Sequence, residues 1–147
     1  MTPREALAAE LLQEADAARQ NSYSPYSHFA VGAALRGKSG RIYTGCNVEC
    51  AAYPAGCCAE RAAFLRAVSE GEYSFTEIAI AGGPAGEPPS SLCPPCGICR
   101  QVMREFCGPE FRILLTDGRQ TLEYSLEELL PLSFGPENLG GDCHEEL

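Results

Sequence analysis

The sequence has neither a long apolar run nor a cluster of basic residues, and both absences narrow the classes of protein that it can encode. No stretch approaches the length needed to cross a membrane, and the first fifteen residues mix charged and apolar side chains unlike a signal peptide. The formal net charge of -9 would repel a polyanion, and no Lys or Arg run offers a local exception. We therefore expect neither a membrane partner nor a nucleic-acid partner.

Cysteine, by contrast, is abundant, with nine residues among 147. Because the number is odd and the first residues do not resemble a secretory segment, a disulfide framework is not expected. We expect a reducing, cytoplasmic setting, in which clustered cysteines bind a metal and isolated ones are small core or surface thiols. The isolated class would contain Cys46, Cys50, Cys107 and Cys143.

The order of predicted elements indicates an α/β fold. A capping start at Thr2, with helical spacing that continues to about Arg19, predicts a first helix. Further helices are predicted over 58–68, 96–106 and 126–130, and strands over 29–35, 41–47, 75–81, 111–115 and 121–124. A Gly- and Pro-rich loop is expected over 82–95. This order predicts a three-layer α/β/α sandwich with a mixed central sheet.

The length of the chain bounds its organisation. It suffices for one core and is too short for two ordinary ones, so residues 1–147 are expected to form a single domain. No internal repeat and no linker divides the sequence. The acidic, Gly-rich tail from about residue 139 carries no recognisable pattern and is a candidate for disorder.

Three cysteines stand at the starts of two predicted helices and form the strongest metal-binding pattern. Cys58 opens one helix, and Cys96 and Cys99 open the next in a C-x-x-C spacing that lets two sulfurs reach one ion. A helix N-terminus favours the thiolate through its partial positive charge and unpaired amides. Three protein ligands leave the fourth tetrahedral position for water, which is typical of a catalytic zinc site. The pattern predicts one Zn²⁺ per subunit.

Glu60 and Arg61 lie close to Cys58 in the sequence and suit an active site around that metal. Glu60 comes two positions after the cysteine, near enough to face the ion without being a ligand. Zinc lowers the pKa of bound water to about 7, and a neighbouring carboxylate can take up the proton and pass it on. Arg61 would offset the excess negative charge that three thiolates place around a divalent ion.

Two further cysteines leave other ligand sets open. Cys57 precedes the first ligand candidate, and Cys93 forms a second C-x-x-C with Cys96. If Cys57 were the ligand, Glu60 would follow it by three positions instead of two. If Cys93 were a ligand together with Cys96, two prolines would separate the ligands and Cys99 would lie outside the site. A closed four-cysteine site that includes Cys93 would make the protein a non-catalytic, zinc-stabilised binding module. The closed four-cysteine site gives Glu60 and Arg61 no role.

Several segments occur in the order found in a known enzyme family. Besides P-C-G-I-C they are S-P-Y-S-H-F-A-V-G-A-A-L at 24–35, N-V-E at 47–49, C-A-E-R at 58–61, C-R-Q-V at 99–102 and S-F-G-P at 133–136. Together they resemble the small homotetrameric, zinc-dependent cytidine deaminases over most of the chain. The resemblance implies a hydrolase of pyrimidine salvage that converts free cytidine and deoxycytidine to uridine and deoxyuridine with release of ammonia.

The same resemblance assigns roles at the metal. It implies that Cys58, Cys96 and Cys99 are the zinc ligands and that Glu60 is the catalytic acid and base. Arg61 would hydrogen-bond a thiolate, as expected of family members with three cysteine ligands.

The resemblance also assigns substrate contacts. Asn47 and Glu49 would hold the ribose hydroxyls, and Phe29 would pack against the pyrimidine. The backbone at Ala59 would contact the ring edge. Phe134 would reach the site of a neighbouring subunit, so that complete sites would lie at the interfaces of a homotetramer. Taken singly, these residues would also fit core, turn or surface roles.

Two related activities remain open from the sequence. The scaffold could deaminate another cytosine nucleoside, such as a nucleoside antibiotic, although the Asn47 and Glu49 pair argues for an ordinary ribose. Polynucleotide editing would need a basic channel and aromatic stacking platforms, which an acidic chain lacks.

Overall fold

A computed structural model describes residues 1–141, which form a five-stranded sheet and four α-helices. The strands are β1 (Phe29–Gly37), β2 (Ile42–Cys46), β3 (Phe75–Pro84), β4 (Arg112–Thr116) and β5 (Thr121–Ser125). The helices are α1 (Pro3–Ala18), α2 (Ala59–Ser69), α3 (Gly97–Phe106) and α4 (Leu126–Leu129). No helix among the described residues is long and apolar enough to cross a membrane. The expected surface or core thiol Cys143 and most of the predicted acidic tail lie outside the described range.

The sheet is mixed and has helices on both faces. Its strand order is β2-β1-β3-β4-β5, with β3 and β4 parallel and every other neighbouring pair antiparallel. Helix α1 packs on one face through a small core around Leu11 and Leu114. Helices α2 and α3 cover the other face through a larger core that includes Phe64 and Met103. The predicted three-layer α/β/α sandwich is therefore confirmed.

Strand directions bring the starts of α2 and α3 to one side of the sheet. Strands β2 and β3 are both antiparallel to β1, so they run parallel to each other. Helix α2 follows β2 and helix α3 follows β3, so both helices begin beyond the carboxyl ends of parallel strands. Phe29, the first residue of β1, lies at the same side because it pairs with Pro84. We call this side, marked by Phe29, Cys46 and Pro84, the carboxyl edge.

Aromatic packing holds α2 and α3 against the sheet. The ring of Phe64 on α2 meets Phe75 edge-on at 5.1 Å and stacks on Phe106 of α3 at 5.9 Å between centroids. Phe111 lies 6.2 Å from Phe64 and extends the cluster to the segment before β4. Such pairs add about 0.5–1.5 kcal/mol beyond the burial of their area. The two helices that begin at the carboxyl edge thus share one rigid core.

A close approach between β2 and α2 depends on Gly45. A Cβ atom at that position would lie 2.5 Å from the Ala59 carbonyl oxygen and 2.6 Å from the Ala63 amide nitrogen. Because only glycine leaves that space empty, the first turn of α2 can rest directly on β2. This contact fixes the distance between β2 and the start of α2, where Cys58 is the N-cap.

The predicted element bounds differ from the structure mainly at β3. This strand runs to Pro84, three residues into the predicted loop, because 82–84 pair with 29–31 of β1. The capping start of α1 is present: Glu5 N donates to Thr2 Oγ1 at 3.1 Å, and Thr2 N donates to Glu5 Oε2 at 2.9 Å. At the other end of the described range, Pro136–Leu139 forms a short 3₁₀ helix. The described residues thus include the first three positions of the predicted tail, where Gly141 N donates to the Pro136 carbonyl oxygen at 2.9 Å.

Candidate active site

Three cysteine sulfurs meet at the carboxyl edge. Cys58 and Cys96 are the N-caps of α2 and α3, and Cys99 lies in the first turn of α3. The Sγ atoms of Cys58 and Cys96 are 3.8 Å apart, those of Cys96 and Cys99 are 3.5 Å apart, and all three lie within 4.8 Å of one another. Sulfurs bound tetrahedrally at 2.3 Å from zinc would be separated by about 3.8 Å. The cluster therefore has the size and donor type that fit a zinc ion.

The charge of this cluster is balanced from α2. Arg61 Nη2 donates to Cys58 Sγ at 3.7 Å. The hydrogen bond from the Cys99 thiol, with further ones from Arg61 and Cys96, outweighs the effect of burial and lowers the pKa of Cys58 to about 5. The same bond with Cys58, together with burial, raises the pKa of Cys99. The protein itself therefore favours the thiolate at Cys58 and disfavours a second thiolate at Cys99.

Glu60 is a buried carboxyl group beside the sulfurs. It is the second residue of α2, and only 5% of its surface is exposed. Burial raises its pKa above the ordinary glutamate value, and the negative charge of Cys58 acts in the same direction. A carboxyl group with a raised pKa can both accept and return a proton near neutral pH.

The two alternative cysteines lie outside the three-sulfur group. The Cys57 thiol donates to the carbonyl oxygen of Cys58 at 3.5 Å. Cys93 covers Gly82, where an added Cβ would be 2.7 Å from its sulfur, and burial raises the pKa of this thiol to about 11. Among the described residues, the only metal-sized group of ligands is the one formed by Cys58, Cys96 and Cys99. The closed four-cysteine site is therefore not formed.

A cavity of about 470 Å³ opens beside Cys58, on the side of Arg61. This volume is in the range of small-molecule sites. The lining residues are Tyr26, Ser27, Asn47, Val48, Glu49, Cys50, Tyr53, Gly56, Cys57, Cys58 and Arg61. Of the predicted site residues, the structure thus brings Asn47, Glu49, Cys58 and Arg61 to the cavity. The predicted site residues outside its lining are Phe29, Ala59, Glu60, Cys96, Cys99 and Phe134.

Asn47 follows β2 directly and hydrogen-bonds the start of β1. Its Nδ2 donates to the Phe29 carbonyl oxygen at 2.8 Å, and its Oδ1 accepts from the Val31 amide at 2.9 Å. Oδ1 also accepts from the Ser22 hydroxyl. The amide therefore positions the first residues of β1 as well as facing the cavity.

Glu49 holds the loop that precedes β1. Its Oε1 accepts from the amides of Tyr26 and Ser27 at 3.0 and 3.1 Å, and its Oε2 accepts from the Ser27 hydroxyl. The bond from the Ser27 hydroxyl, aided by the two backbone amides, lowers the pKa of Glu49 below its ordinary value. Sequence reasoning missed Ser27, because no local pattern pairs it with a residue 22 positions away.

Comparison with known proteins agrees with this geometry. The family model of the cytidine and deoxycytidylate deaminase zinc-binding region matches residues 6–114. The cytidine deaminase of Sporosarcina psychrophila is 44% identical over 131 residues, which cover 88% of this chain and 93% of that protein. The crystal structure of cytidine deaminase from Burkholderia pseudomallei superposes with a TM-score of 0.77 at 39% identity, covering 91% of this chain and 100% of that one.

The chain belongs to the cytidine and deoxycytidylate deaminase family. A second solved relative, cytidine deaminase from Mycobacterium tuberculosis, has a TM-score of 0.73 at 38% identity and covers 86% of this chain and 96% of its own. The family assignment carries a zinc-binding region, and the three clustered sulfurs are the group positioned to hold that metal.

Within this deaminase fold, the remaining sequence-predicted residues lie at the carboxyl edge or on the surface. Phe29 is 37% exposed, and an added Cβ at Gly82 would be 3.2 Å from its ring. Ala59 is fully buried as the first residue of α2, where backbone N–H groups have no intrahelical partner. Phe134 is 59% exposed on the loop after α4, with its carbonyl oxygen bound by Gln101 Nε2 at 2.8 Å.

Proposed function

We propose that the protein is a zinc-dependent aminohydrolase that converts free cytidine and deoxycytidine to uridine and deoxyuridine and releases ammonia. The observation that carries this proposal is a buried carboxyl group beside three clustered sulfurs in a chain of the cytidine deaminase family. The relatives that resemble it along most of their length are themselves named cytidine deaminases.

The proposed ligands of zinc are Cys58, Cys96 and Cys99. When bound, zinc supplies Lewis-acid chemistry that lowers the pKa of a water molecule to about 7. The Glu60 carboxylate takes a proton from the attacking water and passes it to the ring nitrogen beside the amino-bearing carbon. The oxygen bonds to the amino-bearing carbon, and the second proton of the same water then passes from the new hydroxyl through the same carboxyl group to the amino nitrogen. The bond between carbon and nitrogen breaks, ammonia leaves, and the oxygen stays on the ring.

The proposed substrate contacts divide between sugar and base. Asn47 and Glu49 line the cavity and would hold the ribose hydroxyls, since an amide and a carboxylate together donate and accept hydrogen bonds. Phe29 would pack against the pyrimidine at the carboxyl edge. The backbone at Ala59 would contact the edge of the ring. A bare base would lose the sugar contacts, so nucleosides should be preferred.

We also propose a homotetramer with sites completed at subunit interfaces. The exposed aromatic side chains support it, since Phe134, Tyr26 and Tyr53 are 59%, 50% and 78% exposed. Exposed apolar side chains near a site are typical of surfaces that a partner covers. Light scattering during size-exclusion chromatography tests the assembly, and a monomer with full activity would contradict it.

A cytoplasmic location and a single domain over residues 1–147 complete the proposal. All eight cysteines of the described residues are free thiols, which suits a reducing compartment. Both cores pack on the same sheet, which supports one folding unit.

The variant Glu60→Gln tests the proposed chemistry. It keeps the shape of the side chain and removes the proton acceptor, so it should bind zinc and lose about a hundredfold to ten-thousandfold in turnover. Loss of ultraviolet absorbance by cytidine, deoxycytidine and cytosine gives the rates, with Glu14→Gln on the opposite face of the sheet as control. Both nucleosides should react with the wild type and the control. Retained turnover in Glu60→Gln would contradict the role of this carboxyl group.

A further inference from the structure

We propose that Ser27 is a positioning residue whose hydroxyl links the sugar-binding Glu49 to the backbone of the base-packing Phe29. The roles of Glu49 and Phe29 belong to the proposed function, on which this inference rests. Ser27 lies in the loop before β1 and lines the cavity together with Glu49.

Two hydrogen bonds place the hydroxyl between the two residues. Ser27 Oγ donates to Glu49 Oε2 and accepts from the Phe29 amide at 3.1 Å. A hydroxyl can do both at once, because it has one proton and two lone pairs. The Phe29 carbonyl is held on its other side by Asn47 Nδ2 at 2.8 Å. The amide and the carbonyl of Phe29 are therefore each tied to a cavity-lining residue, the amide to Ser27 and the carbonyl to the sugar-binding candidate Asn47.

The bond to Phe29 also closes a tight turn around His28. His28 has a φ of 57°, in the left-handed region that is sparsely occupied by residues other than glycine. A serine hydroxyl that accepts from the amide two residues later mimics a backbone turn. His28 is further held by its amide on the Ser24 carbonyl at 3.0 Å and by its carbonyl, which accepts from Ala85 N at 2.8 Å. The direction in which the chain enters β1 at Phe29 thus depends on Ser27.

The acceptor positions of Glu49 show how the sugar can share this carboxylate. A carboxylate offers about four positions for donors. Oε1 accepts from the Tyr26 and Ser27 amides, and Oε2 accepts from the Ser27 hydroxyl. One position remains on Oε2, the same oxygen that Ser27 orients. Ser27 therefore sets the direction of the acceptor that a substrate hydroxyl would use.

The test is a comparison of Ser27→Ala with the wild-type holoenzyme. Both contacts act in substrate binding and in the transition state, so KM for cytidine should rise about tenfold while kcat changes little. Ser27→Thr keeps the hydroxyl and should restore most of the affinity. Ser24→Ala is the matched control: it removes a hydroxyl from the same loop, and among the described residues that hydroxyl has a hydrogen bond with Ser22 alone. Because Ser27 is exposed, its truncation leaves no buried hole, and thermal melts should show folded protein for every variant.

A double-mutant cycle with Glu49→Gln separates positioning from a general loss of structure. If Ser27 acts through Glu49, the effect of Ser27→Ala on kcat/KM should shrink in the Glu49→Gln background. Full additivity, or an unchanged KM in Ser27→Ala while the wild type turns over cytidine, would overturn the inference alone. A zinc-loaded wild type without activity on cytidine would overturn the proposed function and this inference with it.

Discussion

Removing the Arg61 side chain should weaken zinc binding, and the free energy of its hydrogen bond to Cys58 determines by how much. Hydrogen bonds to charged groups contribute about 1.5–3 kcal/mol. At about 1.4 kcal/mol per tenfold change, that range corresponds to roughly 10- to 100-fold in zinc affinity. The hydrogen bond to Cys58 is long, at 3.7 Å, and Arg61 Nε is buried with no hydrogen-bond partner among the described residues. We therefore expect the effect of Arg61→Gln to lie near the lower end of this range, with zinc bound about tenfold more weakly.

Competition with a zinc chelator at fixed pH measures this affinity. Arg66→Gln on the same helix is the control, because its exposed ion pair with Glu70 at 3.4 Å has no contact with the sulfurs. Arg61 also helps to keep the pKa of Cys58 low, so its loss raises that pKa. A thiolate ligand is lost as pH falls through its pKa, so zinc release on acidification should begin at a higher pH in Arg61→Gln. Wild-type affinity and an unchanged release curve in Arg61→Gln would refute the charge-balancing role.

Two further substitutions test interactions that hold the fold together, one beside the site and one at the opposite end of β3. Gly45→Ala would place a Cβ 2.5 Å from the Ala59 carbonyl oxygen, so α2 must shift and stability should fall by about 1–3 kcal/mol, with weaker zinc retention. Denaturant unfolding measures this loss of stability, with Gly97→Ala as the control, because a Cβ at Gly97 meets nothing within 4 Å. Equal stability of the two variants would contradict the close approach between β2 and α2. Glu77→Ala would remove the buried carboxylate 3.1 Å from Arg36, would leave this arginine only a 4.0 Å ion pair with the exposed Glu10, and should cost about 3–5 kcal/mol in the same assay. A loss below 1 kcal/mol would show that Glu77 is not needed to neutralise this arginine.

The metal cluster could be predicted because its signal is local. Cys58 and Cys96 precede helical patterns, and a thiol at a helix start is favoured as a ligand wherever the helix lies. The three layers and the mixed sheet could also be predicted, because hydrophobic periodicity and the order of the elements reflect which faces of the helices and strands are buried. The extension of β3 to Pro84 was not, because a Gly- and Pro-rich segment becomes a strand only through its pairing with Phe29 and its neighbours.

The contacts of Asn47 and Glu49, the residues proposed to bind the sugar, depend on folding at long range. Glu49 binds amides and a hydroxyl more than twenty positions earlier, and Asn47 binds the backbone of Phe29 across 18 positions. The residue type shows which donors and acceptors a side chain offers, but it does not show which partners the fold brings to them. The structure thus changes the interpretation of this pair: each residue supports the loop before β1 in addition to any contact with a substrate.

One topological choice unites the separate parts of the site. A helix that follows a strand begins at the carboxyl end of that strand, but Cys58 and Cys96 meet only if β2 and β3 point the same way. Their common antiparallel neighbour β1 ensures that, and it lies between them in the sheet. The same reversal brings the first residue of β1 to the carboxyl edge. Strand β1 therefore both aligns the two thiol-bearing helices and presents Phe29 beside them, so Phe29 and the three clustered sulfurs share one structural cause.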